Sequence, residues 1–113
     1  MKSKIIVNQL KDIDAISTAH LVGEKKVLIT KENCDSNLMQ AAIGKLKSGE
    51  KVALHQHKTM EEFYYFKEGR AVFTIKNVDF PCESGTFIKV PIATEHSLEA
   101  LEDVKFIYWG VAI

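Results

Sequence analysis

Neither sign of charge is in excess in this chain of 113 residues: fifteen Lys and Arg balance fifteen Asp and Glu, and neither sign is gathered into a block. A nucleic-acid partner therefore has no electrostatic footprint to bind. Long apolar runs are missing too. The N-terminal stretch MKSKIIVNQLKDID carries basic residues, but its apolar run of Ile5, Ile6 and Val7 stops at Asn8 and Gln9. That is too short for a signal peptide or a membrane helix, so no membrane partner and a cytoplasmic location are expected. Cysteine is scarce. Cys34 and Cys82 lie far apart and belong to no CxxC pair, so both are expected to be reduced and inert, packed as small hydrophobes. The chain has no internal repeat, low-complexity segment or linker, and helix-period patterning is weak throughout.

What is present is the composition of one soluble globular domain over residues 1–113, with 46% hydrophobic and 27% charged residues. The apolar pattern is mostly period two after residue 38. Val52, Leu54, Phe63, Tyr65, Val72, Phe73, Ile75, Phe87, Val90 and the Phe106, Ile107, Tyr108, Trp109, Val111 group fall in short β-branched and aromatic runs. Turn signals separate them: KSGEK, KEGR, IKNVD, CESG and LED. Many short strands between such turns predict an all-β sandwich or barrel. Upstream, DIDAISTAH has room for a turn of helix capped by Asp12 or Asp14, and TKENCDSN reads as a loop.

The chemistry concentrates in GEKVALHQHKTMEEFYYFKEG. On a strand, His55 and His57 point to one face, roughly 6–7 Å apart, with Leu54 and Gln56 on the other. Alternation in the next strand allows Glu62 to share a face with Tyr64 and Phe66, or Glu61 with Phe63 and Tyr65, and local pattern does not choose between the glutamates. A third histidine, His96, follows Pro91 in GTFIKVPIATEHSLEA. Three imidazoles and one carboxylate form a mixed N/O set that suits iron, manganese, nickel, cobalt or zinc.

These residues resemble the cupin superfamily, whose first motif is G(X)5HXH(X)3,4E(X)6G and whose second is G(X)5PXG(X)2H(X)3N. Gly49, His55, His57, Glu62 and Gly69 fill every named position of the first, and the template selects Glu62, which six residues separate from Gly69. Gly85, Pro91 and His96 meet the second, while Ala93 and Ala100 stand where the family has glycine and asparagine. The fifteen residues between Gly69 and Gly85 match the separation in compact members.

The resemblance implies a double-stranded β-helix, or jelly-roll barrel, of two antiparallel sheets, with residues 1–36 as N-terminal strands and loop flanking the barrel. It implies one divalent transition-metal ion per chain on His55, His57, Glu62 and His96. It also implies a homodimer in which Ile5, Ile6 and Val7 lie against the partner's sheet. The expected function is a metal-dependent cupin acting on a small molecule in the barrel by isomerase, lyase, decarboxylase or dioxygenase chemistry. The alternative is a non-catalytic metal- or metabolite-binding module. No catalytic residue is assigned. Glu61, Tyr64 and Lys89 are acid/base candidates if their strands turn them inward, and Gln40, Lys45, Tyr64 and Trp109 are candidates for reaching a pocket. His20 fits no motif and is expected in a loop or on the surface.

Overall fold

The computed structural model describes residues 4–113; residues 1–3 of the predicted domain lie outside the described part. Ten strands follow in chain order: β1 (Ile16–Ser17), β2 (Glu24–Thr30), β3 (Leu38–Leu46), β4 (Lys51–His55), β5 (Met60–Glu68), β6 (Ala71–Ile75), β7 (Val78–Cys82), β8 (Phe87–Val90), β9 (His96–Ala100) and β10 (Val104–Ala112). They form a six-stranded sheet, β1-β2-β3-β10-β5-β8, and a four-stranded sheet, β4-β9-β6-β7. Every pairing is antiparallel. After β3 the chain passes repeatedly from one sheet to the other, which makes the all-β jelly roll that the strand pattern and the resemblance imply.

Each turn signal becomes a turn. Between β6 and β7, Lys76 and Asn77 both take left-handed backbone angles, with φ 51 and 65. This two-residue hairpin follows the twist of its strands. Upstream, the structure corrects two readings. The helical turn expected after Asp12 or Asp14 is a 3-10 turn over Leu10–Asp12 that ends where it was expected to begin. The TKENCDSN loop contains a second 3-10 turn, Lys31–Asn33, held by a reciprocal cap between Thr30 and Asn33. Ile5 and Val7 are exposed and in no strand.

Between the sheets, Phe66 and Phe73 are fully buried and meet edge to face at 6.4 Å, with Tyr64, Leu46, Val90, Leu98, Val104 and Phe106 around them. Each such side chain contributes about 1.5–3 kcal/mol by leaving water. Gly44 lets this core close. A methyl group there would stand 2.6 Å from a Phe106 ring carbon and 3.2 Å from one of Tyr108. Among the described residues no helix is long and apolar enough to cross a membrane.

Strict period two fails at one place that matters. In the β4–β9 ladder Val52 pairs with Leu98 and His55 with His96, so three steps on β4 match two on β9. The extra residue is a β-bulge. It turns both Val52 and His55 inward and leaves Leu54 exposed, whereas uninterrupted alternation would have put Val52 on the face opposite His55.

Candidate metal centre

The inward face of β5 carries Glu62, Tyr64 and Phe66, all buried, while Phe63 and Tyr65 point outward. This settles the choice between the two glutamates. Glu61 lies on the outer face and pairs with Lys89 at 3.4 Å, so neither Glu61 nor Lys89 joins the interior. Trp109 is also outward, stacked on Phe63 at 5.5 Å and 15°, because β10 alternates and turns Phe106 and Tyr108 into the core.

His55 ends β4, His57 follows it in the connection to β5, and His96 opens β9. Together with Glu62 they form a cluster whose nitrogen and oxygen donors all lie within 4.8 Å of one another, close enough to hold one metal ion. The imidazole centroids are 4.2 Å apart for His55 and His96, 5.1 Å for His55 and His57, and 5.6 Å for His57 and His96.

Backbone carbonyls orient two of the rings. His55 Nδ1 lies 2.8 Å from the Ala53 carbonyl and His96 Nδ1 2.8 Å from that of Thr94. A carbonyl only accepts, so each Nδ1 carries the proton and each Nε2 presents a lone pair to the cluster. This is the arrangement metal-bound histidines use. His96 is 1% exposed and its Nε2 has no hydrogen-bond partner. Glu62 Oε1 stands 3.4 Å away, but that approach sets lone pair against lone pair. A buried polar atom without a partner is costly, and a cation among these donors satisfies it.

Glu62 Oε1 also lies 3.2 Å from His57 Nε2 and accepts the Tyr64 hydroxyl at 3.1 Å. Burial pushes the Glu62 carboxyl up, but the imidazolium forms of His96 and His57, together with the Tyr64 hydroxyl, outweigh it and hold the group below the usual carboxylate value. Burial, then the Glu62 charge, raises Tyr64 well above an ordinary phenol and Tyr108 to about 12, so both are neutral donors at physiological pH. Burial likewise lowers His55.

The cluster opens into a cavity of about 560 Å³ lined by His20, Lys25, Gln40, Lys45, Met60, Tyr64 and Tyr108 among others, within the range of small-molecule sites. Of the four candidates for reaching a pocket, Gln40 and Tyr64 line this one, as does Lys45 although it is exposed, and Trp109 does not. A second depression, about 540 Å³, is bordered by Lys47, Glu50, Glu68 and Asp103 and contains no member of the cluster. The first is the one with the chemistry.

His20 makes a contact that the sequence reading did not foresee. It does sit in an exposed turn, closed by the Thr18 hydroxyl on the Val22 carbonyl at 2.7 Å, but its ring lies 4.3 Å from that of His55. Burial and the neighbouring His57 hold it below an ordinary imidazole. Nothing local marks this contact, which joins residues 35 positions apart along the chain. Cys34 and Cys82 are both free. Burial pushes Cys82 to about 11, which keeps it a neutral thiol.

Ala93, the departure from the family motif, takes φ 53 and donates its N–H to the His57 carbonyl at 2.7 Å. Alanine therefore holds the left-handed geometry that glycine would adopt freely, at a cost of roughly 1 kcal/mol, and the loop keeps its shape.

The depressed values of His20, His55 and Glu62 set a sign for acid stability. The unfolded chain takes up protons at these groups at higher pH than the folded chain does, so their contribution is full above about 6.5, the ordinary imidazole value. It falls as the histidines of the unfolded state protonate and falls further below 4.5, the ordinary carboxyl value of Glu62. Metal-free protein in chelator is expected to melt at steadily lower temperature from pH 7 to pH 4. A melting temperature that rises over that window contradicts the assignment.

Comparison with known proteins agrees with this geometry. The Cupin domain family matches residues 42–110. An uncharacterized protein of Methanocaldococcus jannaschii is 41% identical over 56 residues, 50% of this chain and 45% of that relative; the match spans about half the length of that curated protein. A predicted oxalate decarboxylase from Thermotoga maritima superimposes with a TM-score of 0.86 at 26% identity over 96% of this chain and 100% of its own. An ectoine synthase from P. lautus (TM-score 0.82, 18% identity, 96% of this chain and 78% of that one) shares the fold. So does KdgF from Halomonas sp. (TM-score 0.80, 19% identity, 98% and 94%). With the family matched over more than half the chain, on the segment that holds all four clustered side chains, this protein belongs to the cupins.

Proposed function

We propose that His55, His57, Glu62 and His96 hold one divalent transition-metal ion, and that the protein acts through it on a small molecule bound in the barrel. The observation that carries this reading is the fully buried His96, whose Nε2 has no partner while its Nδ1 is committed to the Thr94 carbonyl. When bound, such an ion supplies Lewis acidity to an oxygen-bearing ligand, and iron would also supply oxygen chemistry. Around it the chain's own groups have defined tasks. The Ala53 and Thr94 carbonyls keep His55 and His96 in the donor tautomer, the Tyr64 hydroxyl orients Glu62, and the apolar side chains behind Tyr64 and Tyr108 exclude water from that wall.

Isomerase, lyase, decarboxylase and dioxygenase chemistries all belong to this reading, and the decarboxylase, synthase and KdgF relatives are similar in fold. One observation favours the non-catalytic alternative. Glu61 and Lys89, two of the acid/base candidates, pair with each other on the outer face, and the third, Tyr64, is a neutral phenol engaged with Glu62. The homodimer belongs to the same proposal, and the exposed Tyr65 and Phe87 on the outer face of the six-stranded sheet supply apolar surface for a second copy to cover.

Elemental analysis of the purified protein, with metal reconstitution where needed, tests the reading. About one transition-metal ion per chain is expected. Iron would direct the next assays to oxygen-dependent turnover, and nickel or zinc to isomerase and lyase turnover. A protein that takes up no metal on reconstitution would overturn the proposal.

A further inference from the structure

Lys25 stands in the wall of the same cavity, in no ion pair with the carboxylates of Glu24, Glu32 or Glu62 that also border it. In the β2–β3 ladder it pairs with Gly44, and Gly44 faces the interior, against the rings of Phe106 and Tyr108. Cross-strand partners share a face, so Lys25 projects inward beside that glycine. It is half-buried, and its ammonium donates to Gln40 Oε1 at 2.9 Å. Both side chains line the cavity into which the metal cluster opens. Among the described residues no carboxylate pairs with Lys25.

An ammonium has three donors. The neutral amide of Gln40 occupies one and cancels none of the charge. Withdrawing a cation from water is unfavourable until something supplies the opposite charge, and here the open side is the cavity.

The register sets the distance to the cluster. Gln40 pairs with Gly110, and Gly110 with Glu62, in one row across β3, β10 and β5. Gln40 and Glu62 are therefore two strand spacings apart, roughly 9–10 Å at the backbone. Gly110 puts no side chain of its own between them, and Met60 lies over it. One carboxylate ligand does not neutralise a divalent ion, so the centre stays positive when loaded, and Lys25 adds to that charge in a cavity also bordered by Lys31, Lys45, Glu24 and Glu32.

We propose that Lys25, positioned by Gln40, is a carboxylate-binding residue, and that the cavity takes a small dicarboxylic or oxo-acid anion with one end on the His55, His57, Glu62 and His96 centre and a carboxylate on Lys25. This deepens the metal reading of that centre and rests on it.

Calorimetric titration of metal-loaded protein with oxalate, malonate and succinate, and with acetate and propionate as acids lacking a second carboxylate, tests it. Wild type, Lys25→Met and Gln40→Glu are compared, each after elemental analysis and circular dichroism. At least one dicarboxylate is expected to bind wild type more tightly than either monocarboxylate, and to weaken ~10–100-fold in Lys25→Met, the size of one charge-assisted hydrogen bond. Metal content and acetate binding stay unchanged. Gln40→Glu keeps the lysine but sets a competing carboxylate against it, and gives a loss of the same direction even if Lys25→Met does not fold. Equal dicarboxylate affinity in wild type and the folded variants, or no wild-type preference for two carboxylates over one, overturns the inference while leaving the metal reading intact. Wild type that binds no metal fails earlier, at the elemental analysis, and overturns both.

Discussion

Replacing His96 with alanine is expected to remove tight metal retention: after dialysis against chelator the variant keeps under about a tenth of the wild-type metal, an affinity loss of at least ~100-fold. Disturbing a residue that only orients a ligand commonly costs 10–100-fold, so loss of a ligand exceeds that. His96 contributes an Nε2 with no hydrogen-bond partner, on a ring fixed by the Thr94 carbonyl and stacked on Phe73 at 5.9 Å. His57→Ala is expected to behave alike. Glu61→Ala is the matched control, one residue from Glu62 but outward and paired with Lys89, and should retain wild-type metal. Metal measured by elemental analysis, with circular dichroism to confirm folding, decides the matter. Equal loss in the His96 and Glu61 variants would mean that the inward glutamate is misassigned or that both serve.

Gly69→Ala is expected to cost the fold about 2–5 kcal/mol, a fall of roughly 10–20 °C in melting temperature for a domain of this size. Two effects combine. Gly69 has φ 81, where a side chain costs about 1–2 kcal/mol, and an added methyl would run into the Asp103 carbonyl oxygen and lie 3.0 Å from the Val104 Cα. That obstacle is backbone on the strand-leading turn of β10, so it cannot rotate away, and overpacking of this kind adds about 1–3 kcal/mol. The other two motif glycines separate the terms. Gly49 and Gly85 have φ 87 and 94, and an added methyl would meet nothing within 4 Å at either, so alanine there carries the backbone cost alone. Thermal melts of the three variants are expected to rank Gly69→Ala well below the other two, and three equal shifts would show that the Asp103 contact yields.

That Glu62, Tyr64 and Phe66 share one face was readable because a strand repeats every second residue, and the structure makes that face the buried one. The turn residues were readable for an equally local reason: Gly49, Gly69, Gly85 and Asn77 all take positive φ. Two features escaped that logic. The bulge between Val52 and His55 is a property of the pairing with β9, and no count along β4 alone reveals an extra residue that exists only relative to another strand. The contact of His20 with His55 joins a loop before β2 to the end of β4, and is created by how the two sheets close.

The candidate centre divides along the same line. Residue types and spacing in the chain were enough to name three histidines and one glutamate, to choose Glu62 through the family template, and to predict a two-sheet barrel, because ligand chemistry and strand period are local. Which nitrogen each imidazole presents was decided by the Ala53 and Thr94 carbonyls, and the cavity beside the cluster by β2, β3 and β10 crossing it. The placement of Lys25 against Gln40 with no carboxylate partner depends on the register of β2 on β3. Those are facts about distance between segments far apart in the chain, and only the packed structure brings them together.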